Sequence, residues 1–137
     1  MLSVGILNSL IASLVARSGH MDEIIVCDAG FPIPLGVETI DLALSANHPN
    51  VLDVLAELIK YLAVEKAVMA NETKAHSPSQ FQKISTLLNV PVETIPHTEF
   101  KQRSHTVKGI IRTGDFTAYS NVFLVSGPGD RWFVEKE

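Results

Sequence analysis

The sequence predicts an α/β protein in which a mostly parallel sheet is flanked by helices on its faces. Short apolar runs of strand length alternate along the chain with segments whose apolar residues repeat at helical spacing. This alternation is typical of a parallel sheet, because parallel strands need helical crossovers between them. The chain has 137 residues, and no repeat, low-complexity tract or linker divides it. We therefore expect residues 1–137 to form a single domain.

The first helix and the first strand are placed by their end signals. Asn8 or Ser9 is suited to cap a helix, and Gly19 is positioned to end it. The apolar positions of this helix are Leu10, Ile11, Leu14 and Val15. Residues 24–27 then form a continuous apolar run, and the two prolines that follow cannot donate to a sheet. Asp28 is therefore predicted at the C-terminal end of a buried strand.

The middle of the chain continues the alternation of strands and helices. The predicted strands cover residues 37–44, 66–70 and 92–95. One predicted helix begins at about Val51, and a second begins at Ser77-Pro78, where proline occupies a first-turn position that needs no N–H donor. The apolar stripes of the two helices are Leu52, Leu55, Leu58, Ile59 and Leu62, and Phe81, Ile84, Leu87 and Leu88.

The last third of the chain adds a helical turn and two strands. Thr98 is suited to cap a helical turn that runs to Arg103. Residues 107–111 and 121–125 are apolar runs of strand length. The segment 127–129, Gly-Pro-Gly, has neither a following helix nor the spacing of a phosphate-binding loop, so we interpret it as a turn.

Composition and charge exclude several classes of function. Apolar residues make up 46% of the chain and charged residues 19%, an ordinary balance for a globular protein. The formal net charge is −4, and the Lys and Arg residues are scattered, which disfavours nucleic acid as a partner. The apolar run 10–16 is interrupted by Ser13 and is too short to span a bilayer. We therefore expect no membrane partner and a cytoplasmic location.

The chain also lacks the strong catalytic and cofactor motifs. It contains no phosphate-binding loop, no dinucleotide fingerprint, no His-Glu-x-x-His and no Gly-x-Ser-x-Gly. The five histidines do not have the spacing of a metal site. Cys27 is the single cysteine, and its apolar neighbours favour a buried hydrophobic residue over a nucleophile. We expect neither a metal nor a cofactor.

Isolated polar residues at the ends of predicted elements are the remaining candidates, because α/β proteins bind ligands there. His20 is either a surface loop histidine or a general acid or base, for which imidazole is suited. Asp28 is either a turn residue or a ligand-binding carboxylate. Tyr119 and Asn121 are two residues apart, so on an extended segment they would face one ligand, although a strand-edge pair is the alternative.

A second pair of candidates follows the predicted strand 92–95. His97 begins a turn, and Lys101 lies one helical turn later, where it would share the same face. A solvated position for His97 remains equally open. The other histidines lie in polar surroundings and are expected at the surface: His48, His76 and His105.

Because these candidate residues occur together and in this order, the chain resembles the ribose pyranase family. The members of that family are sugar mutarotases related to the fucose mutarotases. The resemblance rests on Gly-His, Asp-Ala-Gly-x-Pro-x-Pro and Tyr-x-Asn, and it extends essentially from end to end. The second motif resembles the ribose branch of the superfamily, because the fucose branch usually has another residue where Gly30 stands. The matching stretches are residues 5–9, 19–20 with Asp22, 26–34, 40–44, 97–101, 111–114 and 119–121.

The resemblance implies an isomerase that interconverts the pyranose and furanose forms of free ribose and needs no cofactor. It implies that His20 is the catalytic acid, and Lys101 is a further candidate. The substrate-binding residues that we assign from it are Asp28, His97, Tyr119, Ser120 and Asn121. Where this chain has serine in the Tyr-x-Asn motif, the family commonly has alanine. The resemblance also implies a homo-oligomeric ring, a decamer, in which this motif reaches the catalytic histidine of a neighbour.

The chemistry that this resemblance implies needs only acid and base groups. Opening a cyclic hemiacetal requires a proton on the ring oxygen and loss of a proton from the anomeric hydroxyl, after which a different hydroxyl closes the ring. The alternatives are a mutarotase for fucose or another aldose, a non-catalytic sugar-binding regulatory protein, and a purely structural oligomer. Residues 127–137 extend past the usual end of such relatives, which leaves the packing of this C-terminal segment open.

Overall fold

The computed structural model describes residues 1–136, and its elements follow the predicted alternation. The helices are α1 (Ser9–Arg17), α2 (Val51–Leu58), α3 (Asn71–His76), α4 (Pro78–Leu88) and α5 (His97–Arg103). The strands are β1 (Glu23–Cys27), β2 (Thr39–Asp41), β3 (Val64–Ala70), β4 (Val92–Ile95), β5 (Gly109–Arg112) and β6 (Val122–Ser126). A 3-10 turn spans Ser104–Thr106. The predicted α/β class is confirmed.

The described strands form one sheet in the order β2-β5-β1-β6-β3-β4. β5 runs parallel to β1 and β2, and β3 runs parallel to β4, as the mostly parallel prediction requires. β6 is antiparallel to both of its neighbours, β1 and β3. One edge of the sheet therefore collects the C-terminal ends of β1 to β5 and the N-terminal end of β6. The opposite edge collects the N-terminal ends of β1 to β5 and the C-terminal end of β6.

The core lies on both faces of the sheet, and β1 contributes to both because its side chains alternate. Ile24 and Val26 pack in one cluster with apolar residues of α1, α2 and α4. Ile25 and Cys27 pack in the other cluster, with Phe100 of α5. Burial raises the pKa of the Cys27 thiol to about 12, so the thiol remains protonated at neutral pH.

Several predicted boundaries were wrong. β2 covers Thr39–Asp41 instead of 37–44, because the Asp41 carboxylate accepts a hydrogen bond from the backbone N–H of Ala43 and turns the chain. α2 ends at Leu58, although Leu62 still reaches the core through the turn that follows.

Two helices also differ from their predictions. α3 was missed, since its six residues carry no apolar stripe. α5 starts at His97 and has no side-chain cap, so Thr98 does not cap it. At the N-terminal helix the prediction holds, because the Asn8 side chain accepts from two backbone N–H groups of α1.

Candidate active site

Most of the candidate residues lie at one edge of the sheet, where β1 to β5 end and β6 begins. Asp28 follows β1, His97 follows β4, and the segment 119–121 leads into β6. Of the candidates predicted from sequence, His20 alone lies at the opposite edge, because it precedes β1. At roughly 3.3 Å per residue, β1 separates the two groups by about 13 Å. The structure therefore does not bring His20 and Asp28 of one chain together.

Asp28 is held by backbone donors from two segments. The residue is 9% exposed. One carboxylate oxygen accepts from the N–H of Gly30 at 3.1 Å, and the other accepts from the N–H of Ser120 at 3.2 Å. The N–H of Asp28 itself donates to the side-chain oxygen of Asn121 at 2.8 Å. Asp28 therefore fixes the segment 119–121 against the end of β1.

Burial raises the pKa of the Asp28 carboxyl above its ordinary value, and the nearby Asp115 carboxylate adds to the effect. The N–H donors of Gly30 and Ser120 oppose this rise. Asp115 is itself buried, and it accepts from the N–H of Val51 at 2.9 Å and from the N–H of Thr117 at 2.7 Å. It thereby joins the start of α2 to the loop before β6.

His97 presents an unsatisfied nitrogen on this edge. Its Nδ1 atom is buried and has no hydrogen-bond partner among residues 1–136. Burial lowers the pKa of the imidazole, and the charge of Lys101 on the same helix lowers it further. The backbone N–H of His97 donates to the Glu72 carboxylate at 2.8 Å, which fixes the start of α5. A buried ring nitrogen without a partner is suited to a hydroxyl of a bound ligand.

Tyr119 adopts a different geometry from the predicted extended one. Its φ angle of 56° lies in the left-handed region, so it does not form an extended pair with Asn121. The ring stands edge-on to His97 at a centroid distance of 5.1 Å and stacks on His76 at 5.6 Å. Thr73 on α3 donates its hydroxyl to the Tyr119 carbonyl at 2.6 Å, which holds this conformation. Tyr119 and His97 are thus neighbours.

Ser120 and Asn121 are both buried, and their side chains bind protein atoms. The Gln80 amide donates to the Ser120 hydroxyl at 2.8 Å, which ties the segment to α4. Asn121 is 2% exposed, and its oxygen accepts from Asp28. In this chain both residues support the segment that carries Tyr119.

An open cleft of about 470 Å³ borders the Asp28 carboxyl, in the size range of small-molecule sites. It is lined by Asp28, Ala29, Gly30, Arg112, Asp115, Phe116, Thr117 and Ala118. Arg112 donates to the Ala29 carbonyl and to the Asp41 carboxylate, so its charge is already paired. Among the described residues, no cluster of three His, Cys, Asp or Glu side chains that could hold a metal ion is found.

His20 lies at the opposite edge of the sheet, in a loop that hydrogen bonds hold in place. The Asp22 carboxylate accepts from the N–H of Gly19 at 2.7 Å and from the Lys108 ammonium at 2.9 Å, and these bonds lower the pKa of Asp22. The His20 side chain is 57% exposed, and its Nε2 atom lies 3.1 Å from a carboxylate oxygen of Glu65. The imidazole is thus fixed on one side and open to solvent on the other.

Comparison with known proteins decides the family. The model of the RbsD / FucU transport protein family matches residues 1–128. The chain belongs to this family. It is 47% identical to the D-ribose pyranase of Thermotoga neapolitana over 93% of this chain and 98% of that protein. The resemblance inferred from the sequence motifs is therefore confirmed.

One solved structure supports the same assignment, and a second has the same fold. The structure of Bacillus subtilis RbsD complexed with D-ribose has a TM-score of 0.89 and 41% identity, and the match covers 93% of this chain and 98% of that chain. The fucose mutarotase of Streptococcus pneumoniae, in complex with L-fucose, has a TM-score of 0.70 and 18% identity, covering 93% of this chain and 99% of that chain. At that identity the second match shows the fold alone.

Sequence reasoning missed several residues of this candidate site. Glu72, Thr73 and His76 come from the unpredicted helix α3, and each contacts His97 or the Tyr119 segment. Asp115 lies in the loop after β5, in a stretch that had no assigned role. A position directly after a predicted strand is the signal that pointed to Asp28. The same signal could have found the start of α3, which directly follows β3.

Proposed function

We propose that this chain is a D-ribose pyranase, an isomerase that interconverts the pyranose and furanose forms of free ribose. The observation that carries the proposal is the identity of 47% to a D-ribose pyranase over 93% of the chain. The match to Bacillus subtilis RbsD complexed with D-ribose supports ribose as the substrate. The cluster of Asp28, His97 and Tyr119 at the ligand-binding edge of the sheet supplies polar groups suited to sugar hydroxyls.

The reaction needs proton transfers only. His20 gives a proton to the ring oxygen as the C1–O bond breaks, and the anomeric hydroxyl gives its proton to solvent water to leave the aldehyde. A different hydroxyl then adds to C1 and gives its proton to His20, as the carbonyl oxygen takes a proton from solvent water, so ring size changes without oxidation or reduction. Asp28, which lines the cleft, and the buried His97 nitrogen orient sugar hydroxyls, and the Tyr119 ring packs edge-on against His97. Lys101 is a further candidate, since it lies one turn from His97.

The site requires a second copy of the chain. His20 and Asp28 lie at opposite ends of β1, so a sugar that contacts both must lie between two subunits. We propose a homo-oligomeric ring, a decamer, in which the pocket of one chain receives the His20 of its neighbour. An interface also supplies the second wall that a small domain cannot provide for a sugar.

The remaining assignments follow from this function. We propose that residues 1–137 form a single domain. Of these, Glu137 lies outside the residues that the structure describes. None of the helices within residues 1–136 is long and apolar enough to cross a membrane. A cytoplasmic location in ribose catabolism fits an enzyme that acts on a free sugar. The acid/base steps need no metal or cofactor.

Magnetisation exchange between the pyranose and furanose NMR signals of ribose tests the proposed function directly. We expect the protein to accelerate exchange above the buffer rate without added metal, and to act less well on fucose. Binding of ribose without acceleration would instead support a non-catalytic sugar-binding protein. Faster exchange of fucose than of ribose would assign the chain to the fucose branch.

The substitution Asp28→Asn is expected to weaken exchange by about 10- to 100-fold, which corresponds to the loss of one hydrogen bond to a charged group. Both carboxylate oxygens accept from backbone N–H groups, so an amide would place its own donor against one of them. Ribose binding should be partly retained, because the shape of the side chain is unchanged. Isothermal titration and exchange NMR measure the two effects, and unchanged kinetics would leave Asp28 a turn residue.

A further inference from the structure

The His20 edge of the sheet contains an arrangement that the motifs did not indicate. Nε2 of His20 lies 3.1 Å from Oε2 of Glu65, which is the second residue of β3. An ionised carboxylate can only accept a hydrogen bond, so the contact requires a proton on Nε2. The other ring nitrogen, Nδ1, is then the one available to a substrate. Glu65 itself is not part of the sugar-binding edge.

A β-bulge directs Glu65 toward His20. Val64 pairs with Ser126 and Lys66 pairs with Val125, so Glu65 is an extra residue in β3 that has no partner in β6. A bulge of this kind redirects the side chain of the inserted residue, and bulges are common next to active sites. Side chains of a regular strand alternate between the two faces of the sheet. The bulge interrupts this alternation at Glu65, so the bulge sets the direction of its side chain.

Gly127, which directly follows the neighbouring strand β6, leaves space for Glu65. A Cβ atom at position 127 would lie 2.8 Å from the Cβ of Glu65, closer than real contacts allow. Gly127 therefore leaves the space that the Glu65 side chain occupies, and its N–H donates to the carbonyl of Ala63 at 2.8 Å. The bulge, the glycine and the hydrogen bond all position one carboxylate against one imidazole.

Stability alone does not explain this arrangement. The side chains of His20 and Glu65 are 57% and 38% exposed, and exposed ion pairs contribute little to folding. A carboxylate on one nitrogen of a histidine does, however, fix its tautomer and orientation and stabilise its charged form.

We propose that Glu65 is a positioning residue of the ribose isomerisation, acting through His20. This inference rests on the proposed function. Glu65 holds the proton on Nε2 throughout the cycle, so Nδ1 gives a proton to the ring oxygen as the C1–O bond breaks and regains one when the new ring closes. Glu65 contacts no sugar atom, and it acts by fixing the tautomer and orientation of the His20 imidazole.

The test compares Glu65→Ala, Glu65→Gln and a matched control, Glu93→Gln. Glu93 forms an ion pair with Lys66 in which both side chains are 44% exposed, far along the chain from His20. We expect Glu65→Ala to lower kcat for ribose exchange by about 10- to 100-fold, with KM within about twofold of the unsubstituted value. Glu65→Gln should be intermediate, since its amide oxygen still accepts from Nε2 but carries no charge. Glu93→Gln should match the unsubstituted protein.

A tautomer measurement separates positioning from a structural effect. Magic-angle-spinning NMR of protein labelled with ¹⁵N-histidine reports the protonated nitrogen of His20, assigned by the signal that disappears in His20→Ala. We expect Nε2 to be protonated in the unsubstituted protein and in Glu65→Gln, and a mixture of tautomers in Glu65→Ala. Melting temperatures should stay within about 4 °C in all variants, because the pair is exposed.

Three results would overturn the inference. They are an unchanged kcat in Glu65→Ala when His20→Ala is inactive, a loss of kcat in Glu65→Ala without a change in its His20 tautomer, and protonation of Nδ1 alone in the unsubstituted protein. If the unsubstituted protein does not accelerate ribose exchange, the proposed function fails, and the tautomer measurement still decides whether Glu65 sets the state of His20.

Discussion

His20→Ala is expected to reduce ribose exchange to the rate in buffer. A positioned acid/base contributes about 10²- to 10⁴-fold to a reaction of this kind, and we assign that role to the His20 imidazole. The fold should be unchanged, because the side chain is 57% exposed and its described polar contact is the exposed pair with Glu65. Exchange NMR measures the loss, and circular dichroism with thermal melting verifies the fold.

A matched histidine provides the control for this substitution. His105 lies in the 3-10 turn after α5, is exposed, and is not one of the candidate site residues. His105→Ala should therefore keep the activity of the unsubstituted protein. Exchange close to normal in His20→Ala would remove His20 from the acid role and direct attention to the cluster around His97.

Mixing two inactive variants is expected to restore about one quarter of the normal activity. In a ring assembled at random from equal amounts of His20→Ala and His97→Ala chains, about one interface in four pairs an intact His20 with an intact pocket. The prediction follows from the separation of the two residues within a chain, where His20 precedes β1 and His97 follows β4. Native mass spectrometry of ¹⁵N-labelled mixtures measures subunit exchange, and exchange NMR measures activity.

His97 is a better partner for this experiment than Asn121. The oxygen of Asn121 accepts from the N–H of Asp28, so its removal would disturb the backbone of the pocket. The His97 ring instead carries a nitrogen without a partner in the described chain. A fully active monomer in sedimentation, or no recovery despite proven subunit exchange, would contradict a site shared between subunits.

Much of the fold is predictable because apolar periodicity determines which faces are buried. The continuous run in β1 and the 3.6-residue stripe of α4 each identify their elements without tertiary information. The helix α3 has no such stripe. Its position is stabilised by tertiary bonds from Glu72 and Thr73 to His97 and Tyr119, which local sequence does not reveal.

The sequence by itself determined the family motifs, the order of the strands and of the α-helices other than α3, and the position of Asp28 at the end of a buried strand. Only the tertiary structure decided that β6 is antiparallel, because strand direction depends on pairing partners and not on periodicity. It also decided the left-handed conformation of Tyr119, which the Thr73 hydroxyl holds, and the bulge that turns Glu65 toward His20. These features depend on contacts between residues far apart in the chain, so the pattern of any one segment cannot specify them.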